Sequence, residues 1–201
     1  RAVQTKQTGV VWSGGSNQKV SIVSGRAVID AFGRNIAAYY PMTESYGNIG
    51  TYNHATGDLQ AKTEYDTHDR TTSVTLADGS MTRTAYSIGS HDGEPMLQTT
   101  VTDALGRHAE SYTDAKGRNR ETVQHARGED ITVKYSYDPV GQVMTVQHPN
   151  GRETKYAYDL LGRKLMVNHP DAGETDMTYD AAGNLLTKLT AELRKSISDK
   201  G

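Results

Sequence analysis

The sequence predicts an all-β protein in which tandem β-hairpin repeats form a long, twisted antiparallel sheet. The first observation is a repeat, because Tyr-Asp-x-x-Gly recurs at residues 137–141, 158–162 and 179–183, at intervals of 21 residues. The second is the turn chemistry inside each copy. The third is a composition of 35% hydrophobic residues with 12 Tyr, one Trp and one Phe, which suits a thin, half-solvated sheet. A fixed period indicates one structural unit laid down several times.

The repeated core is predicted to be a turn. Its Asp accepts hydrogen bonds from the backbone N–H groups ahead of it, and Gly three residues later closes a type I turn with a bulge. Tyr before the Asp and aliphatic residues after the Gly then fall on flanking strands. We assign this structural turn motif to Asp30, Gly33, Asp103, Gly106, Asp114, Gly117, Asp138, Gly141, Asp159, Gly162, Asp180 and Gly183.

Other segments carry degenerate copies or a second turn. Tyr65-Asp66-Thr67-His68-Asp69 has Asp where the motif has Gly, so we expect Asp69 to take the left-handed conformation, at a cost of roughly 1 kcal/mol. Residues 52–57 fit a copy with one inserted residue. Turn signals at 149–151 and 170–173 lie midway through the regular units, so each 21-residue unit is predicted to be one hairpin.

The chain divides into four zones. Residues 1–29 are predicted to hold a strand pair joined by a turn at 13–17, and residues 30–136 to hold irregular repeats. Residues 137–184 form the regular array. In residues 185–201 the apolar positions recur at three or four residues, which fits a short helix, although this tail could equally be the strands of a truncated repeat.

Composition and charge argue against several classes of function. The net charge is −2 and the pI about 6.4, with Lys and Arg spread along the chain, so no basic patch for nucleic acid is expected. The absence of cysteine excludes a disulfide framework and a thiolate metal site. No apolar run approaches the roughly 18 residues of a membrane span. The N-terminus has neither an initiating Met nor a signal-like segment, which indicates a piece of a longer protein.

These motifs resemble the YD-repeat, or Rhs, family, most specifically over residues 137–184. Its members are large bacterial secreted or surface polypeptides, including the C component of insecticidal toxin complexes, and animal teneurins share the repeat. The resemblance implies a non-catalytic wall segment of a β-sheet that spirals into a hollow shell around a C-terminal effector. It implies the remaining repeats and that effector as partners, a secreted or cell-surface parent protein and no cofactor. Departures from the motif, which imply an irregular spiral, are Thr102, Thr113, Gln142 and Asn184.

Histidines and carboxylates offer few candidates for a metal or catalytic site. His148 and His169 hold equivalent positions in successive hairpins, roughly 9.6 Å apart across two strands, which is too far to share a zinc ion unless the sheet folds back. The repeated Asp residues are committed to turns rather than paired for glycoside hydrolysis. Residues 138–141 match the Asp-Pro-x-Gly signature of self-cleaving members of the family, but two more repeats follow, so we interpret them as a turn. We predict no enzyme activity and no metal site.

The tyrosines leave a ligand-binding alternative open. A row of exposed rings could stack on sugars and give a glycan-binding or adhesion surface, whereas their spacing favours packing against one another across strands. Unpaired strands at the ends of such a sheet predict self-association through residues 1–29 or 185–201. The candidate stacking residues are Tyr135, Tyr137, Tyr156, Tyr158 and Tyr179.

Overall fold

The structure, a computed structural model, describes residues 4–47, 50–53, 59–126 and 128–199. The degenerate copy expected at 52–57 therefore lies outside the described residues from position 54 onward. The described residues form strands throughout, with one helix near the end. The strands are β1 Thr5–Ser13, β2 Ser16–Ser24, β3 Ala27–Ile29, β4 Asn35–Tyr39, β5 Met42–Ser45, β6 Gln60–Tyr65, β7 Thr71–Thr75, β8 Met81–His91, β9 Glu94–Thr102, β10 His108–Thr113, β11 Asn119–His125, β12 Asp130–Tyr137, β13 Val143–Gln147, β14 Glu153–Tyr158, β15 Lys164–His169, β16 Gly173–Tyr179 and β17 Leu185–Leu189; the helix is α1 Ala191–Ser198.

The chain forms two compact units, one from Arg1–Ala85 with Val101–Gly106 and the other from Tyr86–Thr100 with Arg107–Gly201. In the first unit, β1, β2 and β5 make a three-stranded sheet, while β3, β4, β6 and β7 are antiparallel neighbours in that order. In the second unit, β10 to β17 are antiparallel neighbours in chain order. The predicted all-β class, with antiparallel hairpins and a short C-terminal helix, is confirmed.

The first hairpin pairs β1 with β2 along their whole length, from Thr5 opposite Ser24 to Ser13 opposite Ser16. Its two-residue turn is Gly14-Gly15, and both glycines have positive φ, as tight hairpin turns that match the strand twist require. The strands are therefore longer than the predicted ones, and the turn shorter, because two glycines suffice to reverse the chain.

The repeat hairpins share one irregularity. In each, the residue before the turn Asp pairs with the residue six positions later, and the register shifts there, as in Tyr137 opposite Val143 and Tyr158 opposite Lys164. The same shift occurs after Val28, Glu64, Tyr112 and Thr178. A bulge of this kind gives one strand an extra residue and strengthens the local twist.

Few side chains in the described ranges are fully buried. The buried apolar ones are Val23, Ala37, Met96 and Val123. Most strand residues are half-buried, as expected for a sheet whose strands contact mainly their neighbours. Stability therefore depends on backbone pairing and on contacts that run along the sheet rather than on a thick core.

The tail contains both structures that its sequence allows. Strand β17 pairs with β16, and α1 begins directly after it with Thr190 as N-cap, whose hydroxyl accepts the Leu193 N–H at 3.3 Å. Arg194 on the helix forms ion pairs with Glu174 and Asp176 of β16. Among the described residues, no helix has the length and apolar character needed to cross a membrane.

Candidate functional site

The turns between strands are the repeated feature of the molecule. In each Asp-x-x-Gly turn assigned from the sequence, the Gly N–H donates to the Asp carbonyl at 2.9–3.1 Å, for example from Gly162 to Asp159. All six turn glycines have positive φ, from 76° at Gly106 to 98° at Gly141. Glycine is the residue that adopts this conformation without a steric penalty.

The Asp carboxylate organises each turn from inside. In the Asp159 turn, Oδ1 accepts the N–H groups of Leu161 and Arg163, both at 2.9 Å, and Oδ2 accepts Nε of Arg163 at 2.6 Å. The turns at Asp30, Asp66 and Asp114 repeat these contacts with their own arginines. One carboxylate thus satisfies two backbone donors and orients the arginine that follows the turn.

These contacts favour the ionised form of the carboxylates. Burial acts to raise the pKa of Asp66, but hydrogen bonds from the side chain and backbone of Arg70 and from the His68 N–H lower it to about 2. For Asp30, Asp114 and Asp159, burial likewise acts to raise the pKa, but hydrogen bonds from the following arginine and the turn backbone lower it below the usual 3.8. These four aspartates are therefore charged at neutral pH and held by their arginines.

Each of three arginines also reaches the next repeat. The guanidinium of Arg163 lies over the ring of Tyr179, 5.0 Å from its centroid, and Nη1 donates to the carbonyl of Asp180 at 2.9 Å. In return, the Tyr179 hydroxyl donates to the carbonyl of Lys164 at 2.9 Å. We call this arrangement, in which an arginine grips the Tyr-Asp pair of the following turn, the Arg–Tyr clasp.

The clasp recurs in both compact units. Arg34 contacts Tyr65 and the Asp66 carbonyl within the first unit. Arg118 contacts Tyr137 and the Asp138 carbonyl within the second. In the sequence these arginines directly follow the turn glycines Gly33, Gly117 and Gly162, and no role was predicted for them. The sequence does contain a signal for the clasp: an Arg directly after one turn and a Tyr directly before the Asp of the next turn.

The position of Gln142 lacks this contact. Its backbone N–H still donates to Asp138 Oδ1 at 2.8 Å, so the turn itself is intact. Its side-chain Oε1 is buried without a hydrogen-bond partner, and Tyr158 in the next turn has no arginine over its ring in the described part of the chain. The joint between these two repeats therefore has backbone pairing without a clasp.

Two of the assigned turns flank a single strand. The turn at Asp103 joins β9 to β10, and the turn at Asp114 joins β10 to β11, so they lie at opposite ends of β10. The 11 positions between the two aspartates thus contain one strand, β10. Asp69, in the degenerate copy, has φ of 60° and its N–H donates to the Asp66 carbonyl at 3.2 Å.

The five candidate stacking tyrosines are all half-buried on β12, β14 and β16. Arginines cover one face of Tyr137 and Tyr179, and the Lys164 ammonium lies 4.8 Å from the Tyr156 ring centroid. In the described part of the chain, three of the five rings therefore lie beside a cation, while Tyr135 and Tyr158 interact electrostatically with the neighbouring Tyr137 and Tyr156. Packing of the tyrosines against one another across strands stays a prediction, and contact with a cation is an additional feature of Tyr137, Tyr156 and Tyr179.

The rings of the two equivalent histidines, His148 and His169, lie closer together than the roughly 9.6 Å that separates their strands. The rings of His148 and His169 lie edge to face with centroids 6.0 Å apart, although the backbones are two strands apart. His148 Nε2 is 2.8 Å from the Thr154 hydroxyl, and His169 Nδ1 accepts N–H groups from its own turn. Both rings thus have structural partners in the turns they flank.

Comparison with known proteins identifies the fold. The sequence profile described as Teneurin YD-shell matches residues 34–192. The chain belongs to the teneurin YD-shell family. The predicted resemblance to YD-repeat proteins is confirmed, and the turns and clasps are the internal structure of a YD-shell segment. No curated protein matches the sequence.

Solved structures share the fold of this YD-shell segment at low sequence identity. The crystal structure of TcdB2-TccC3-TEV aligns with a TM-score of 0.69 and 18% identity. TcdB2-TccC3 without its hypervariable C-terminal region gives 0.69 and 17%, and a Photorhabdus luminescens Tc holotoxin pore gives 0.67 and 17%. These alignments cover 94–95% of this chain but only 11% of the matched chains. The chain is thus similar to a short stretch of a much longer shell.

Proposed function

We propose that this chain is a non-catalytic wall segment of a larger secreted or surface polypeptide, and that the wall encloses that polypeptide's C-terminal effector. The observation that carries the proposal is the ladder of matching hairpins, joined along the sheet by Arg–Tyr clasps. Membership of the YD-shell family and the fold shared with the TcdB2-TccC3 structures support the same role.

The proposed mechanism is geometric. Each repeat contributes a hairpin that pairs with its neighbours, and each clasp fixes the angle and spacing to the next repeat. The turn aspartates are committed to backbone donors and arginines, and this supports a scaffold over an acid–base catalyst. At the chain's C-terminal end, β17 has one unpaired side on which a further repeat of the parent can add.

Limited proteolysis of the full-length parent polypeptide tests enclosure. The region after the repeats should resist protease in the intact parent and be cleaved rapidly when produced alone. A matched parent with Arg118→Gln and Arg163→Gln, which removes two clasps, should lose part of that protection, while Arg152→Gln, outside the clasps, should not. Equal cleavage rates for the effector region inside and outside the intact parent would contradict enclosure.

A glycan-binding surface is the second candidate. Tyr135 and Tyr158 are half-exposed and no cation in the described ranges lies over either ring, so both keep a face that could stack on a sugar. On a glycan array, binding that Tyr135→Ala and Tyr158→Ala abolish without loss of fold would support this role. If the unmodified chain binds no glycan on the array, the wall segment remains as the single proposed function.

A further inference from the structure

The tip of the β8–β9 hairpin carries a cluster outside the repeat turns. His91 ends β8, Asp92 lies in the turn, and Glu121 lies on β11 of the same compact unit. One potential ligand atom from each residue lies within 4.8 Å of the other two. His91 Nε2 is 2.6 Å from Glu121 Oε2 and 3.6 Å from Asp92 Oδ2.

The two innermost atoms are buried and form no hydrogen bond of good geometry, although Glu121 Oε2 also forms an ion pair with Lys134 at 3.2 Å. Glu121 is 6% exposed, and neither its Oε2 nor His91 Nε2 has a hydrogen-bond partner among the described residues, despite their separation of 2.6 Å. An oxygen this close but off the N–H direction makes no proper hydrogen bond. Two buried atoms that face the same point without a proper hydrogen bond between them can both turn toward a shared metal ion once they move slightly apart.

The ligand types indicate which ion fits. One imidazole and two carboxylates suit zinc and related transition metals, whereas calcium and magnesium prefer oxygen alone. Two ligands about 2.1 Å from a tetrahedral ion lie roughly 3.4 Å apart, close to the His91–Asp92 distance. The His91–Glu121 pair must open by less than about 1 Å. Asp92 has a side chain 70% exposed, which leaves room for water as a fourth ligand.

Neighbouring groups hold the histidine in place. The His91 ring stacks on Tyr112 with centroids 4.5 Å apart and planes at 21°. The Tyr112 hydroxyl donates to Glu110 Oε2 at 2.6 Å, and this hydrogen bond raises the pKa of Tyr112 to about 12. Packing of this kind around a ligand fixes its ring orientation, as outer-shell contacts do in metal sites.

We propose that His91, Asp92 and Glu121 bind one zinc-like divalent transition-metal ion, which fastens the tip of the β8–β9 hairpin to β11. The ion takes the place of the Lys134 ammonium, which lies 3.2 Å from Glu121 Oε2 and can swing into water because its side chain is 44% exposed. This departs from the sequence-based expectation of no metal site, which weighed only the repeated His148 and His169.

Calorimetric titration of the 201-residue chain with Zn²⁺ tests the site. We expect one saturable equivalent, an affinity at least tenfold lower in His91→Asn and Glu121→Gln, and a higher affinity in Lys134→Met, which removes the competing cation. His148→Asn, at a histidine outside the cluster, is the matched control and should bind as the parent does.

Hydrogen exchange supplies a second readout. Zn²⁺ should slow exchange of amides in residues 86–100, and a chelator should restore it. Lys134→Met keeps the test informative if the buried variants fold poorly, because Lys134 is half-exposed. Absence of saturable binding, binding that His91→Asn and Glu121→Gln leave unchanged, or binding lost in His148→Asn would overturn the proposal.

Discussion

Asp69 shows how a single residue can depart from the repeat and still form its turn. It takes φ of 60° where the other copies have Gly, and Asp is one of the residues that tolerate this conformation best. Its carboxylate also accepts Nη1 of Arg34 at 2.7 Å, so the departure gains an ion pair with the preceding repeat. The sequence predicted the strain but not this partner.

Replacement of Asp69 tests the balance between strain and ion pair. Asp69→Gly relieves roughly 1 kcal/mol of strain but loses an exposed ion pair and makes the unfolded chain more flexible, so the net effect should be close to neutral. Gly162→Val, at φ of 80°, should destabilise clearly because a β-branched residue tolerates this conformation poorly. Denaturant unfolding of both variants measures this, and a strongly destabilised Asp69→Gly would mean that the Arg34 contact dominates.

The turn carboxylates should make the fold sensitive to acid. The pKa of Asp66 is about 2 in the folded protein, below the ordinary 3.8, so its contribution to stability is fully present above about pH 4 and is lost as pH falls toward 2. The lowered pKa values of Asp30, Asp114 and Asp159 add in the same direction. Thermal melts at pH 7, 4 and 2 should show a falling midpoint.

A neutral variant isolates one carboxylate in that series. Asp66→Asn should melt below the parent at pH 7, and the gap should narrow at pH 2, where the parent's Asp66 is also losing its charge. A gap that stays constant across this range would show that the ionised form of Asp66 is not the stabilising one.

At the scale of an element, the hairpin at Gln142 lacks a clasp, and a substitution can introduce one. Its amide already extends toward the next turn, since a Cβ on Gly162 would lie 3.6 Å from its Nε2. Gln142→Arg can bond Asp138 and lie over Tyr158, which should raise stability by up to about 1 kcal/mol for a partly exposed contact. Arg163→Gln, the reverse change at an intact clasp, should lower it. Unchanged or lower stability in Gln142→Arg would contradict the role given to the clasp.

The docking of α1 depends on one glycine. Gly173 has φ of 73°, and a Cβ there would lie 2.6 Å from the Ala191 Cβ, so Gly173→Ala must push the helix away. Gly151→Ala carries similar strain at φ of 78° with nothing within 4 Å, and is the matched control. We expect Gly173→Ala to lose more helical ellipticity and more stability than Gly151→Ala, measured by circular dichroism. Equal losses would mean that the helix does not depend on this contact.

Local turns were predictable from the sequence, and contacts across the sheet were not. Asp-x-x-Gly encodes its turn within four residues, so residues such as Asp159 and Gly162 could be placed directly. The Arg163–Tyr179 clasp and the His91–Glu121 cluster join residues 16 and 30 positions apart, and their formation depends on which strands become neighbours. His91 also lies on a hairpin without the repeat motif, so periodicity gave no signal for it.

At the scale of the whole molecule, strand edges follow from a sheet built by addition. Strand β17 is unpaired on one side, and Leu185 and Leu186 on it are 51% and 63% exposed. We expect concentration-dependent self-association through such edges. Sedimentation equilibrium should show it, and Leu186→Lys, which places charge on the β17 edge, should reduce it. A monomer at all concentrations up to the millimolar range would contradict this expectation.

The Arg–Tyr clasp has a consequence for how such walls change in evolution. In the three clasps the arginine and its tyrosine are 31, 19 and 16 positions apart in the sequence, yet the contact is the same. Because each of these arginines contacts the tyrosine of the following turn whatever the distance along the chain, loss or duplication of a whole unit would leave a clasping arginine beside another unit's tyrosine. We therefore expect a wall of this kind to tolerate in-frame gain or loss of whole units, and changes in the length of chain between joints.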